Sequence, residues 1–270
     1  MNAEWIITTF VIIDDLITKY GHQTDCRSRV SDSEILTIAI CAAKFCQNHH
    51  ERTVVLMNQL GYLSGKLSVS RFNRRLHKLS DWLELILAVL TELNRRGATF
   101  IIDSMPVPVC RRVRASRCKK VRGKEYCGWC AAKKEKFFGW RLHLIINAQG
   151  QVANFTMLPG GYDDLTPIHE LSLLLPPWCY LLGDKGYNAE ADEATIWDEV
   201  RVRFVPIRKD NMEPNTLEER VMLGKHRKAV ESVNSQLERM GVERLYARTN
   251  IGFELKVHSS LVAVTLTNAN

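Results

Sequence analysis

The sequence lacks a hydrophobic run long enough to cross a membrane. A spanning helix needs about 18 or more consecutive apolar residues, and the best N-terminal candidate is only the segment WIITTFVII at residues 5–13. That segment has neither a basic start nor a small-residue cleavage site, so it does not fit a secretory signal. We therefore expect it to be a helix of a cytoplasmic protein.

Internal repeats and low-complexity linkers are also absent from the chain. Its 270 residues suffice for one large domain or two smaller ones. Hydrophobic residues make up 46% of the sequence, enough for a substantial core, and the 25% of charged residues is ordinary for a globular protein.

The eight cysteines come without a targeting signal that would favour disulfide bonds. Four of them cluster at Cys110, Cys118, Cys127 and Cys130, and the last two form the C-x-x-C pair of many structural zinc sites. The seven residues between Cys110 and Cys118 are atypical of such sites. One alternative is nevertheless a zinc-containing DNA-binding regulator without catalysis.

The positive charge is concentrated in one segment. Residues 110–141 hold twelve Lys and Arg against two Glu, a net charge of +10, and since the whole chain carries +7, the remainder carries −3. Such a one-signed segment is the electrostatic signature of a polyanion partner, although a merely solvated basic loop has the same composition. The predicted DNA contacts in this segment are Arg111, Arg112, Arg114, Lys119 and Lys120.

Residues 1–96 read as a helical, DNA-binding region. Ser31 and Glu34 form a capping box before an apolar run, and SVSRFNRRLHKL has the spacing of an amphipathic helix. Its basic face, which carries Arg71, Arg74 and Arg75, fits either a DNA-recognition helix or an ordinary solvated face.

From Gly97 onward, strands and helices alternate. ATFIID reads as a strand, residues 139–159 as a hairpin turning at Gln149-Gly150, and the remainder as helix, strand, helix, strand and a long helix with a possible break at Gly224. This order predicts a mixed sheet flanked by helices over residues 97–270. Pro106 and Pro108 predict that the chain leaves the sheet there, into a basic insert at about residues 104–138.

Two of the predicted strands end in an acid. FIID ends at Asp103 and YLLGD ends at Asp184. Sites in open α/β sheets form beyond the carboxyl ends of strands, where two neighbouring carboxylates would repel each other unless a cation lay between them. Hard oxygen ligands favour Mg²⁺, with Mn²⁺ as an alternative.

The long helix offers a third carboxylate at Glu231, on the border of its apolar stripe. Arg227, one turn earlier, can orient that carboxylate or bind a phosphate. Three such acids can hold two metal ions roughly 3.5–4 Å apart for in-line displacement at phosphorus. The predicted substrate is then a phosphodiester.

The motifs IIDSMPVPVC, GWRLHLIINAQGQV, LLGDKGYN and RKAVESVNSQLER together resemble the DDE transposases of compact bacterial insertion sequences. The resemblance covers nearly the whole chain. It implies a ribonuclease-H-like catalytic domain with Asp103, Asp184 and Glu231 as metal ligands, DNA as substrate, and a homodimer in the DNA complex. Lys185 and Tyr187 become candidates for contacting the DNA end, although Tyr187 can equally be a packing residue.

The chain departs from the family pattern on the long helix. Gly224 stands where the family has a Tyr, and Glu238 where a basic residue is usual, which weakens the expected DNA contacts of this helix but not the ligand set. A nuclease of the same fold that cuts without joining is a second alternative. We expect His143 to be a core or surface residue rather than part of the site, and we assign Asp163, Asp164 and His169 to helix capping rather than to metal binding.

Overall fold

The structure, a computed structural model, describes residues 2–131 and 133–269. They group into two compact units. The helical unit contains the residues up to 89 together with residues 237–268, and the sheet unit contains residues 90–236. The sequence-based boundary had given everything from residue 97 onward to the sheet domain. The structure instead assigns the last helix to the helical unit, because that helix packs against the second one.

Eight of the described helices follow the predicted order along the chain, whereas the last one, at residues 250–267, was not predicted. Their bounds are Ala3–Lys19 (α1), Asp32–Cys46 (α2), His50–Gln59 (α3), Val69–Lys78 (α4), Ser80–Asn94 (α5), Ile168–Ser172 (α6), Glu190–Val200 (α7), Leu217–Arg239 (α8) and Asn250–Thr267 (α9). None of these described helices is both long and apolar enough to span a membrane.

The helical unit is centred on α2, whose residues are almost all buried. The predicted capping box begins this helix: the Ser31 hydroxyl accepts the backbone N–H of Glu34, and the Glu34 carboxylate accepts that of Ser31. A helix buried on nearly every face needs partners around it. Those partners are α1, α3, α4 and α9.

The sheet unit contains one mixed sheet, in which six strands are described. Their bounds are Thr99–Cys110 (β1), Cys127–Cys130 (β2), Glu135–Asn147 (β3), Val152–Pro159 (β4), Tyr180–Gly183 (β5) and Arg203–Pro206 (β6). β3 pairs antiparallel with β1, β2 and β4, while β5 runs parallel to β1 and to β6. This arrangement, with flanking helices, confirms the predicted mixed sheet and is consistent with a ribonuclease-H-like fold.

The hairpin and the long helix also follow the prediction. The turn between β3 and β4 contains Gly150 at φ +80°, a conformation that favours glycine. The helix α8 is continuous through Gly224, where a break had been considered possible.

The prediction that the chain leaves the sheet at Pro106 and Pro108 is wrong. Both prolines lie within β1, opposite Arg141 and Gly139 of β3. The parallel neighbour β5 pairs only with residues 99–101, so beyond that point the structure gives β1 a strand partner on the β3 side alone. An edge strand tolerates proline because its outer N–H groups have no ladder partner to lose. The basic insert therefore begins after Cys110.

Candidate active site

Asp103 lies where β1 loses its parallel neighbour. Residues 100–102 are buried and fix the strand, and the pairing with β5 ends at Ile101. The Asp103 carboxylate accepts two hydrogen bonds, from the Ser104 backbone N–H to Oδ1 at 2.8 Å and from Asn234 Nδ2 of α8 to Oδ2 at 2.7 Å. Burial raises the pKa of Asp103 to about 6, and the Asp184 and Asp164 charges act in the same direction against the two hydrogen bonds.

Asp184 directly follows β5 and caps a short 3₁₀ turn over residues 185–187. Its Oδ1 accepts the backbone N–H of Gly186 at 2.8 Å. Burial also raises the pKa of this carboxyl group, and the neighbouring Asp164 adds to the rise, while the Gly186 hydrogen bond and Arg227 oppose it. Burial is the largest cause of both shifts, and two carboxyl groups with raised pKa values at one sheet edge are typical of a functional site.

Glu231 lies on the exposed face of α8. Its Oε1 accepts a hydrogen bond from Nε of Arg227 at 2.8 Å, one helical turn away, and both side chains are more than half exposed. Asp103, Asp184 and Glu231 line one cavity of about 450 Å³, with an apolar wall from β1, β5 and α8.

The three acids share a cavity but do not form a closed coordination shell. Across residues 2–131 and 133–269, no group of three or more His, Cys, Asp or Glu side chains is arranged to hold a metal ion. The donor set itself fits a hard divalent cation, since it consists of carboxylate oxygens. The sheet places Asp103 and Asp184, and Arg227 holds Glu231, which lines the same cavity from α8.

The predicted DNA contacts near the acids differ in accessibility. Lys185 is exposed and forms an ion pair with Asp210 at 3.0 Å. Tyr187 is only 1% exposed and packs edge-on against Phe204, so it presents no surface to DNA and belongs to the core. This burial corrects the prediction that Tyr187 contacts the DNA end.

The basic segment after β1 is exposed along most of its length. Arg111, Arg112, Arg114 and Lys119 are all exposed, and in the described ranges no ion pair neutralises them. Lys120 is half-buried and lies 3.4 Å from the carbonyl oxygen of Val109.

The basic helix α4 in the helical unit divides its arginines between two roles. Arg75 donates from Nη1 to the Val30 carbonyl at 2.7 Å and from Nε to Asp32 at 3.2 Å, which makes it a structural residue of this unit. Arg71 and Arg74 are exposed. They line a basic cavity of about 440 Å³ whose other cationic residues are Arg27, Arg29, Lys66, Arg75 and Lys78.

The clustered cysteines do not support a zinc site. Cys110 and Cys127 both pair with Phe138, one from β1 and the other from β2, so β3 lies between them. Tetrahedral zinc requires its thiolates within one coordination sphere. The part of the chain that is described contains no such cluster.

Two residues of the site were missed in the sequence. Asn234 holds Asp103, and Asp164, assigned to capping, accepts a hydrogen bond from Ser104 Oγ at 2.7 Å and one from Arg141 Nη1 at 3.2 Å. A signal for Asp164 was present, because β4 runs parallel to β1 and β5. The segment that follows β4 therefore starts from the same edge of the sheet.

Comparison with known proteins decides the family. The family model for the transposase DDE domain matches residues 94–246, more than half of the chain. The chain belongs to the DDE transposase family. The matched range runs from the end of α5 through the sheet and α8 and contains all three predicted acids. No curated protein and no solved structure matches this transposase.

Family membership establishes the general activity. DDE transposases are enzymes that cut nucleic acid, act on DNA and generally use divalent metal ions.

Proposed function

We propose that this DDE transposase binds the ends of its insertion sequence and catalyses metal-dependent DNA strand cleavage and strand transfer. The observation that carries the proposal is the cavity of about 450 Å³ at the carboxyl edge of β1 and β5, lined by Asp103, Asp184 and Glu231. The matched family range contains all three residues. We assign them as the catalytic, metal-binding acids.

The chain's own residues position these acids. Asn234 and the Ser104 N–H orient the two oxygens of Asp103, and the Gly186 N–H orients Asp184. Glu231, which lines the same cavity from α8, is held by Arg227. Two bound Mg²⁺ or Mn²⁺ ions would supply activation of a water or 3′-hydroxyl nucleophile and stabilisation of the leaving oxygen.

DNA phosphates would be bound by exposed cations of both units. Lys185 and Arg227 line the cavity of the acids, and the exposed segment contributes Arg111, Arg112, Arg114, Lys119 and the half-buried Lys120. In the helical unit Arg71 and Arg74 are the DNA-binding side chains of α4, with Arg75 fixing the helix. Transposition joins two ends, so we expect a homodimer in the DNA complex, acting in the cytoplasm at the nucleoid.

The test is cleavage of DNA carrying the terminal inverted repeats that flank the gene. Asp103→Ala, Asp184→Ala and Glu231→Ala should each abolish Mg²⁺-dependent cleavage while end binding, measured by gel shift, stays within about twofold. Asp163→Ala, which removes an exposed acid, is the matched control and should cleave normally. Cleavage that persists in Asp103→Ala contradicts the assigned site.

Strand transfer with pre-cut ends separates a transposase from a nuclease that only cuts. Transfer by the unmodified protein, lost in the same three variants, supports the proposal. Cleavage without any transfer would show that the joining step has been assigned incorrectly.

A further inference from the structure

Asp164 is fixed beside the proposed catalytic acids through one of its two oxygens. Ser104 Oγ and Arg141 Nη1 both donate to Oδ1, at 2.7 and 3.2 Å. Arg141 is held in turn by the Trp129 carbonyl, to which Nη2 donates at 2.8 Å. These contacts set the orientation of the carboxylate, and both hydrogen bonds fall on the same oxygen.

The other oxygen, Oδ2, faces the backbone at Gly186. A Cβ atom at that glycine would lie 3.3 Å from Oδ2 of Asp164 and 3.0 Å from Oδ1 of Asp184, so the two oxygens are at most about 6 Å apart. A divalent cation bound to one carboxylate can reach a second one over that span through a bound water, because Mg²⁺ usually keeps several of its waters. The absence of a side chain at Gly186 leaves the space between the two acids open.

The buried hydroxyl of Tyr187 independently indicates that a polar group is missing from this site. Tyr187 is 1% exposed, and within the described residues its Oη has a weak contact with the Ser104 side chain but no hydrogen bond of good geometry. Ser104 is its near neighbour, and the charges of Asp164, Asp103 and Asp184 all act on it. A buried hydroxyl without a good hydrogen bond is costly, and a water held by a cation among these acids is a group that could satisfy it.

The local charge balance favours a cation at the same place. Asp103, Asp164 and Asp184 influence one another electrostatically, and the ion pair of Arg141 with Asp164 and the charge of Arg227 near Asp184 offset only part of their negative charge. Like charges that act on one another in a partly buried site are stabilised by a counter-charge. A divalent ion supplies it without adding a side chain.

Building on the proposed function, we propose that Asp164 is a fourth carboxylate of the cation site, a positioning residue that binds a water of the metal ion through Oδ2. Asp164 then helps to hold the cation at the edge where β1, β4 and β5 end, and Tyr187 completes the hydrogen bonding of the bound water. Neither residue needs to touch the DNA.

The test measures Mn²⁺ binding to the full chain without DNA, by the electron paramagnetic resonance signal of the free ion. Asp164→Asn keeps an acceptor for Ser104 but removes the charge, and it should weaken Mn²⁺ binding by about tenfold or more, as is usual for residues that support a metal ligand. The matched control Asp163→Asn removes the same charge one residue earlier and should stay within about twofold. Ser104→Ala removes one of the two hydrogen bonds to Oδ1 but retains the Arg141 bond and the carboxylate, so it should lose clearly less Mn²⁺ affinity than Asp164→Asn.

The outcomes distinguish this proposal from the proposed function. If Asp103→Asn abolishes Mn²⁺ binding while Asp164→Asn behaves like Asp163→Asn, the role of Asp164 is refuted and the catalytic site stands. If Asp103→Asn binds Mn²⁺ normally, or the unmodified protein does not bind it, both proposals fail. If Ser104→Ala loses as much affinity as Asp164→Asn, the effect is structural and the proposal is overturned.

A second variant covers the case in which Asp164→Asn does not fold. Tyr187→Phe removes only the phenol oxygen that lacks a good hydrogen bond, so the cation-free protein should melt at the same temperature or higher. Its Mn²⁺ affinity should nevertheless fall by clearly more than the variation allowed for the control Asp163→Asn. Unchanged affinity in Tyr187→Phe overturns the proposal.

Discussion

At the residue scale, the decisive property of the site is that the ionised form of Asp103 is energetically unfavourable in the cation-free protein. The carboxyl group is buried at the end of β1 with two hydrogen bonds, and its pKa is raised to about 6 because burial outweighs those bonds. Its charged form is therefore destabilising in the cation-free protein, and a bound cation would reverse that balance. The same buried position that costs stability makes the carboxylate available as a ligand.

Removing this charge should make the stability of the cation-free protein less dependent on pH. The folded-state pKa of about 6 lies above the ordinary value of 3.8, so between these values the folded state binds more protons and stability falls as pH rises. About two pKa units correspond to about 3 kcal/mol. With EDTA present, the free energy of unfolding of Asp103→Asn minus that of the unmodified protein should grow by about this amount from pH 4 to pH 7 in urea titrations.

The control for this measurement is the exposed Asp163. The difference between Asp163→Asn and the unmodified protein should stay nearly constant over the same pH range. A constant difference for Asp103→Asn as well would show that Asp103 ionises in the folded protein as it does in the unfolded chain.

The predicted site residues can be recognised from the sequence around them, whereas the missed ones can be recognised only through contacts with distant parts of the chain. Asp103 and Asp184 follow apolar strands, and strand ends are readable from the sequence. Asn234 and Asp164 could be recognised only through their partners Asp103, Ser104 and Arg141, which lie far away in the chain. The exposed ion pair of Glu231 with Arg227 was suggested by their spacing of four residues.

At the element scale, the least predictable segments are those whose behaviour depends on a neighbour. The prolines of β1 were expected to end the strand because it was taken as central throughout. In fact β1 has strand partners on both sides only over its first residues, because β5 pairs with those residues alone. The order of the other helices and strands, by contrast, followed from local periodicity and from turn residues such as Gly150, although β2 and α9 were not predicted.

Replacing Gly224, inside α8, and Gly241, just after it, with alanine should change the stability of the protein in opposite directions. Gly224 lies inside the helix with open space around its Cα, so Gly224→Ala should stabilise the protein by about 0.5–1 kcal/mol through helix propensity. Gly241 follows the helix at φ +79°, and a Cβ atom there would lie 3.2 Å from the Gln47 carbonyl oxygen. Gly241→Ala should therefore destabilise it by about 1 kcal/mol or more. Urea denaturation of both variants checks the signs, and a loss of stability in Gly224→Ala would indicate strain at that position.

At the scale of the whole molecule, the net charge of a segment can be counted in the sequence, but the roles of its charged side chains depend on the fold. The net charge of +10 over residues 110–141 follows from counting, and the exposed arginines after β1 agree with it. The basic cavity of the helical unit assembles from three separate stretches of the chain, and Arg75 is committed to internal bonds. The grouping of α9 with the N-terminal helices likewise depends on long-range packing.

The two exposed basic surfaces should each contribute to the salt dependence of DNA binding. Each phosphate contact contributes about 0.9 to the slope of log Kobs against log salt concentration. Replacing Arg111, Arg112 and Arg114 with Ala should therefore lower the slope by up to about three, and the Arg71→Ala, Arg74→Ala double variant by up to about two. Fluorescence anisotropy of an end-containing duplex between roughly 50 and 200 mM salt measures both. A control lacking the exposed Lys19, Arg52 and Arg96 should retain the original slope, and a slope that falls equally in all three variants would mean that net charge, rather than either surface, governs binding.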